Sequence, residues 1–245
     1  MYEDKTVAVI DYRAGGEIIE NLKKLNIHVV TTRRHDTLSE PVNGHPDMVM
    51  FKDESSGIIV CPEEYNYYEE CLQPFNIKIL KGCNELGNKY PGNIRYNGVL
   101  NGNVFFHKVD STDARILDMM KGRNIKCINV NQGYTKCSTV TLGSGGIITS
   151  DAGIMKAAVE EGFDALLISS GYIGLDGYDY GFIGGSTGFV DNTLYFTGRI
   201  DKHPDCREIM RFLYEKGIET VFLSNKCIYD LGTIIFLKQG EECEK

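Results

Sequence analysis

The side chains able to do chemistry are scattered along this chain rather than gathered in one motif. Eight cysteines stand at 61, 71, 83, 127, 137, 206, 227 and 243, and five histidines at 28, 35, 45, 107 and 203. No two cysteines are spaced C-x-x-C, and His28, His35 and His107 show no ligand spacing, so no metal and no cofactor is expected. Cys137 follows Lys136, and a neighbouring ammonium favours a nucleophilic thiolate. The competing reading makes Cys137 a small, half-buried residue at a strand end. His45-Pro46-Asp47 is echoed by His203-Pro204-Asp205, but the second opens a helix, which leaves His45 as the better site candidate. Asp47, Asp151, Asp179 and Asp230 fall on loops. With a net charge of −8 they suit a small cationic, amino-acid-like ligand. Glycines 171, 174, 177, 181, 184, 185 and 188 interleave with Tyr172, Tyr178, Tyr180 and Phe182. Such a segment is either a mobile lid or close backbone approach to a ligand, or else an irregular connection. The candidate ligand-binding set is therefore His45, Asp47, Lys136, Ser138, Asp151, Tyr180, Gly184, Gly185 and Asp230, with Cys137 as the candidate catalytic residue.

Two apparent nucleotide signals fail. Val7-Ala8-Val9-Ile10-Asp11 followed by Gly15-Gly16 imitates a dinucleotide-binding opening but lacks G-x-G-x-x-G. Gly143-Ser144-Gly145-Gly146 joins two strand patterns, which is turn chemistry and not a phosphate cradle.

The 245 residues include 26 basic and 34 acidic side chains, and 42% are hydrophobic. That content excludes disorder, and the acidic balance argues against a nucleic-acid partner. No apolar run approaches the roughly 20 residues of a membrane span, and the acidic Met1-Tyr2-Glu3-Asp4 is unlike a signal peptide. A cytoplasmic protein with reduced cysteines and one domain over residues 1–245 is expected.

The elements that must position these residues recur. Apolar strands beginning near Ile27, Ile77, Ile125, Phe163 and Ile218 each follow an amphipathic helix, at gaps of 50, 48, 38 and 55 residues, and the return through the termini takes 54. A circular period points to a closed ring of five units. Each helix is preceded by a hairpin. The first full unit pairs Met48–Phe51 with Ile58–Val60 across Asp53-Glu54-Ser55-Ser56. The second pairs Ile94–Leu100 with Val104–His107 across Asn101-Gly102. The third turns through Gly143–Gly146 and the fourth at Asp191-Asn192. The fifth is split, with Thr233–Leu237 expected to pair antiparallel with Val7–Ile10, so that neither strand is left as an open edge. Ser111 and Ser150 are expected helix caps, Pro204 a first-turn residue and Gly217 a left-handed terminator. Cys206, Ile209, Met210 and Leu213 form a core stripe.

Five ββαβ units about a pseudo-fivefold axis resemble the pentein fold, the α/β propeller of the guanidino-group-modifying enzymes. The runs Gln132–Ser138, Ile147–Asp151 and Tyr180–Gly185 resemble an uncharacterised bacterial family assigned to that fold. The resemblance implies a funnel on the axis, where inter-unit loops converge and a guanidino-like molecule would bind. It also implies a Cys nucleophile at the last unit's strand, a His opening the third hairpin and carboxylates on the guanidinium. Here the first position reads Asp230-Leu231-Gly232-Thr233 and the second Lys136-Cys137-Ser138-Thr139, so the usual pair is absent. Either a divergent guanidino- or amidino-group hydrolase or transferase, or a non-catalytic binding protein, fits. The ring is also similar to that of a ribosome-binding translation factor, which keeps a protein partner open as the alternative.

Overall fold

In the computed structural model, which describes residues 6–53, 57–143 and 146–240, the strands sort into five three-stranded sheets. The split unit contributes β1 (Thr6–Ile10), α1 (Gly16–Lys24) and β2 (Ile27–Thr31). The first full unit has a short helix α2 (Pro46–Val49), then β3 (Met50–Asp53), β4 (Gly57–Val60), α3 (Tyr65–Leu72) and β5 (Ile79–Lys81). The second has β6 (Val99–Asn101), β7 (Val104–His107), α4 (Ala114–Gly122) and β8 (Lys126–Asn129). The third has β9 (Thr139–Thr141), β10 (Gly146–Thr149), α5 (Ala152–Glu160) and β11 (Asp164–Leu167). The fourth has β12 (Thr187–Val190), β13 (Thr193–Phe196), α6 (Cys206–Glu215) and β14 (Glu219–Phe222), and β15 (Ile235–Lys238) returns to the split unit.

Every sheet repeats one arrangement: an antiparallel hairpin, then a strand parallel to its second member, reached through a helix. The sequence makes that crossover the same way each time. A left-handed residue ends each helical segment just before the parallel strand: Asn26 (φ 60°), Asn76 (φ 51°), Asn124 (φ 55°), Gly162 (φ 86°) and Gly217 (φ 66°). Asn and Gly tolerate that conformation where other side chains collide with the backbone. The next residue is apolar and is held beside the helix it has just left.

The ring closes as the circular period requires. β1 and β15 pair antiparallel in the register Val7↔Leu237 and Val9↔Ile235. The first strands of the units, β3, β6, β9, β12 and β15, surround a cavity of about 80 Å³ on the axis, into which Lys52 and Lys136 also face. Around them the core is divided among the wedges between units. Ile209 and Leu213 of α6 pack with Leu194 and Phe196, with Cys206 and Met210 at the margin, so the stripe seen in the sequence is core.

Local boundaries differ from expectation for physical reasons. Met48 and Val49 belong to α2, because Pro46 opens a helical turn, and β3 starts at Met50. Ile94 to Tyr96 lie in turns ahead of β6. Asp113 rather than Ser111 caps α4, its carboxylate accepting Arg115 N–H at 2.9 Å, while Ser111 ends a 3-10 turn. Asp151 rather than Ser150 caps α5, accepting Ile154 N–H at 2.8 Å. Pro204 precedes the cap position Asp205 instead of entering α6. Thr233 adopts φ 71°, which no strand accommodates, so β15 begins two residues later. The second hairpin turns at Gly102-Asn103, one residue late, and the fourth turns as expected through Asp191 and Asn192 with φ 49° and 58°. The expected turn residues Glu54–Ser56 and Ser144-Gly145, together with Met1–Asp4 and Cys243, lie outside the described residues.

Candidate functional site at the axis

The segment just ahead of each unit's first strand supplies the site. These segments are His45–Asp47 before β3, Asn97 before β6, Lys136–Ser138 before β9, Gly184-Gly185 before β12 and Asp230–Thr233 before β15. They are joined in a closed circle of hydrogen bonds. Asn97 Nδ2 donates to Asp47 O (2.9 Å), Lys136 N to Asn97 Oδ1 (2.9 Å), Gly185 N to Cys137 O (2.8 Å), Thr233 N to Gly185 O (2.8 Å) and Asp47 N to Gly232 O (3.1 Å). Each unit thus holds the next, and the last holds the first.

Three carboxylates are carried into the interior by this framework: Asp11, Asp47 and Asp230 are at most 1% exposed. Asp47 Oδ2 accepts Thr233 Oγ1–H at 2.8 Å and the Cys137 thiol at 3.1 Å. Asp230 accepts Phe182 N–H at 2.8 Å and Gly232 N–H at 2.9 Å, yet burial still pushes its carboxyl above the usual carboxylate range. Two glycines make this packing possible. A Cβ on Gly185 would lie 2.0 Å from Asp230 Oδ1, and one on Gly232, at φ 67°, would lie 2.1 Å from His45 Cβ.

His45 sits between two of the acids, with Nε2 3.9 Å from Asp11 and Nδ1 3.9 Å from Asp230. Those separations exceed a hydrogen bond. Both ring nitrogens and Asp47 Oδ1 find no hydrogen-bond partner among the described residues. Buried polar atoms are nearly always paired, so this cluster holds polar capacity that the described residues leave unused.

Asp11 carries a guanidinium already. Arg13 Nε donates to Asp11 Oδ1 at 2.9 Å and Nη2 bonds Oδ2, while Nη1 reaches Glu40 O at 2.8 Å and Nη2 reaches Pro41 O at 3.0 Å. This is fork recognition of a planar cation, completed by two carbonyls. Arg13 also lines a cleft of about 660 Å³ with Glu40, Pro41, Asp176, Tyr229 and Leu231. The glycine-rich segment walls that cleft. Gly177 abuts Pro41, where a Cβ would come within 2.7 Å, and Tyr178 OH lies 3.4 Å from Ser39 Oγ.

Cys137 does not behave as the Lys136-Cys137 adjacency suggests. The thiol is buried, it donates to Asp47, and burial with the Asp47 and Asp230 charges drives its pKa well above the ordinary value. The Asn97 N–H at 3.2 Å works the other way and is outweighed. Lys136 is pushed down by burial, and its ammonium donates at 3.4 Å to Thr139 O, on the cavity side. Burial and the donated contact to Asp47 thus favour the thiol, in keeping with the reading of Cys137 as a small buried residue rather than a thiolate.

Of the sequence candidates, His45, Asp47, Lys136, Cys137, Gly184, Gly185 and Asp230 come together here. Ser138 is buried beside them, and its Oγ finds no partner among the described residues. Asp151 is occupied as the α5 cap, and Tyr180 is 39% exposed with its ring edge-on to Phe182. Asn97, Asp11, Arg13 and Thr233 were missed. The Asn97-Gly98 pair stands at the place in its unit that His45–Asp47 and Lys136–Ser138 take in theirs, and alignment of the repeats at that point would have found it.

The arrangement of five three-stranded sheets is that of the pentein fold. DDAH from Pseudomonas aeruginosa complexed with citrulline is similar at a TM-score of 0.59 and 10% identity, covering 97% of this chain and 100% of that one. C. jejuni agmatine deiminase matches at 0.53 and 10% identity, over 91% and 88% of the two chains. SxtG, an amidinotransferase from Microseira wollei, matches at 0.55 and 12% identity, over 93% and 79%. No curated protein matches in sequence. Residues 9–235 match the family of unknown function DUF6873, and the chain belongs to that family.

Proposed function

We propose that this protein binds a small cationic molecule bearing a guanidino or primary amino group in the carboxylate chamber formed by Asp11, Asp47 and Asp230 around His45. One observation carries the reading: buried carboxylates converge on a histidine whose two ring nitrogens, like Asp47 Oδ1, lack partners among the described residues. A group with several N–H donors can satisfy Asp47 Oδ1 and the His45 ring nitrogen that carries no proton, and a positive charge offsets the cost of burying the acids. The Arg13 guanidinium on Asp11 supports the choice of cation, as do the guanidino-group enzymes among the similar folds. Binding rather than thiolate attack is the better reading, because burial and the contact to Asp47 favour the Cys137 thiol over its thiolate.

Thermal-shift and calorimetric titration with arginine and agmatine, against citrulline, whose net charge is zero and whose side chain ends in a neutral ureido group, tests the proposal. The two cations are expected to raise the melting temperature and citrulline to leave it unchanged. Asp47→Asn is expected to weaken cation binding about tenfold or more, as loss of a buried charged partner does. Affinity is expected to rise with pH as the carboxyl of Asp230, raised by burial, ionises. No stabilisation by either cation at millimolar concentration overturns the proposal.

A second reading rests on Tyr172, Tyr178 and Tyr180, which are exposed on the glycine-rich segment and offer aromatic contacts to a protein partner. Replacing all three with serine would abolish partner capture and leave cation binding intact under that reading.

A further inference from the structure

We propose that His35, Cys61 and Glu63 form a binding site for a borderline divalent cation, zinc foremost, separate from the axial chamber. His35 follows β2, Cys61 directly follows β4 and Glu63 precedes α3, so the site joins the split unit to the first full unit. One ligand atom from each residue lies within 4.8 Å of the other two.

Two further observations point to a ligand there. The His35 side chain is 3% exposed, yet its Nε2 finds no hydrogen-bond partner among the described residues, and neither does the buried Glu63 Oε2. The other Glu63 oxygen accepts Leu86 N–H at 2.8 Å, which holds the carboxylate beside the imidazole, 3.9 Å from Nε2. A surface cleft of about 410 Å³ opens onto His35 and Glu63 and gives an ion a way in.

The donor set chooses the metal. A thiolate and an imidazole select zinc-like ions over magnesium or calcium, and one carboxylate completes a three-ligand set. Tetrahedral bonds of about 2.0–2.3 Å put ligand atoms about 3.5 Å apart, so the three must close by about 1 Å. Glu63, with a side chain 26% exposed, has room to turn. On binding, the Cys61 S–H bond breaks and its proton passes to solvent as the sulfur–metal bond forms. The imidazole gives Nε2 to the metal and keeps its proton on Nδ1. This releases the 3.3 Å contact from Thr37 N–H, whose exposed loop lets water replace it. A water from the adjoining cleft, lined by Arg33, Arg34, Asp36 and Glu64, would complete the set.

Titration of the intact protein with Co²⁺ alone tests the site, with zinc competition and thermal melts alongside. One equivalent of Co²⁺ is expected to give a thiolate-to-cobalt charge-transfer band that one equivalent of Zn²⁺ removes, and Zn²⁺ is expected to raise the melting temperature. Cys61→Ser is expected to lose the band, and Cys227→Ser to keep it. Because the buried Cys61 variant can fail to fold, Glu63→Gln is the second probe, expected to bind Co²⁺ about tenfold more weakly with an unchanged circular dichroism spectrum. No band in the parent protein overturns the proposal. So does a band that Cys227→Ser removes or that Glu63→Gln leaves at full affinity.

Discussion

Cys137 and Lys136 illustrate how burial decides between two electrostatic outcomes. In a wet cleft the adjacent ammonium would lower the thiol pKa, but here the side chain facing Cys137 is the Asp47 carboxylate, and water is excluded. The consequence is chemical silence. Iodoacetamide at neutral pH is expected to label the exposed Cys83, Cys127 and Cys227 within minutes, and Cys137 only after denaturant is added, as peptide mass spectrometry would record. Rapid labelling of Cys137 in the folded protein would show that the thiol opens to solvent as a thiolate. Asn97 has the opposite importance, since it does no chemistry and holds three segments. Asn97→Ala leaves Asp47 O and the Cys137 N–H, which relies on Asn97 Oδ1 at 3.2 Å, without this partner. It is expected to cost about 2–4 kcal/mol in urea melts, the penalty for stranding buried polar groups. A loss below about 0.5 kcal/mol would mean the circle is replaceable by water.

At the level of elements, β7 carries a pH dependence that follows from where His107 sits. Its ring bonds Thr112 Oγ1 at 2.7 Å and Gly133 O at 3.2 Å, and burial lowers its pKa to about 4. The unfolded chain titrates this group near the ordinary histidine value of about 6.5. Between the two values the unfolded state binds the extra proton, so stability falls as pH drops from about 6.5 towards about 4 and is unaffected by this group above that window. The slope approaches about 1.4 kcal/mol per pH unit. His107→Gln is expected to flatten that limb of a stability–pH curve; an unchanged slope would assign it to other groups. The junction at Gly217 was legible in the sequence, because a residue tolerant of the left-handed conformation is a local requirement of the backbone, and Asn26, Asn76, Asn124 and Gly162 meet the same requirement. The caps were less so. Ser111 and Asp113 are both competent acceptors two residues apart, and the choice between them depends on the path of the preceding turn.

For the whole molecule, closure is the organising fact. Removing residues from Thr233 onward deletes β15, uncovers the edge of β1 and takes Phe236, 1% exposed, out of its wedge. That truncation is expected to lower the melting temperature by more than about 10 °C, several kcal/mol at this chain length. Phe236→Ala, which leaves the backbone pairing in place, is expected to cost about 3–5 kcal/mol. A truncated chain melting within a degree or two of the parent would show that closure contributes nothing. The ring could be read from the sequence because it is a repetition of local patterns: apolar strands at a near-constant circular period, each after a helix. The sequence also singled out His45, Asp47, Cys137 and Asp230 by residue type and loop position. It could not reveal that Asp11, which holds Arg13, stands beside His45, or that His35 meets Cys61 and Glu63. Those groups lie far apart along the chain or on different units, and their meeting depends on the angle at which one unit packs against the next. The charge state of Cys137 likewise belonged to the tertiary structure alone. A pKa follows from desolvation and the nearest charge in space, and neither is written in the order of residues.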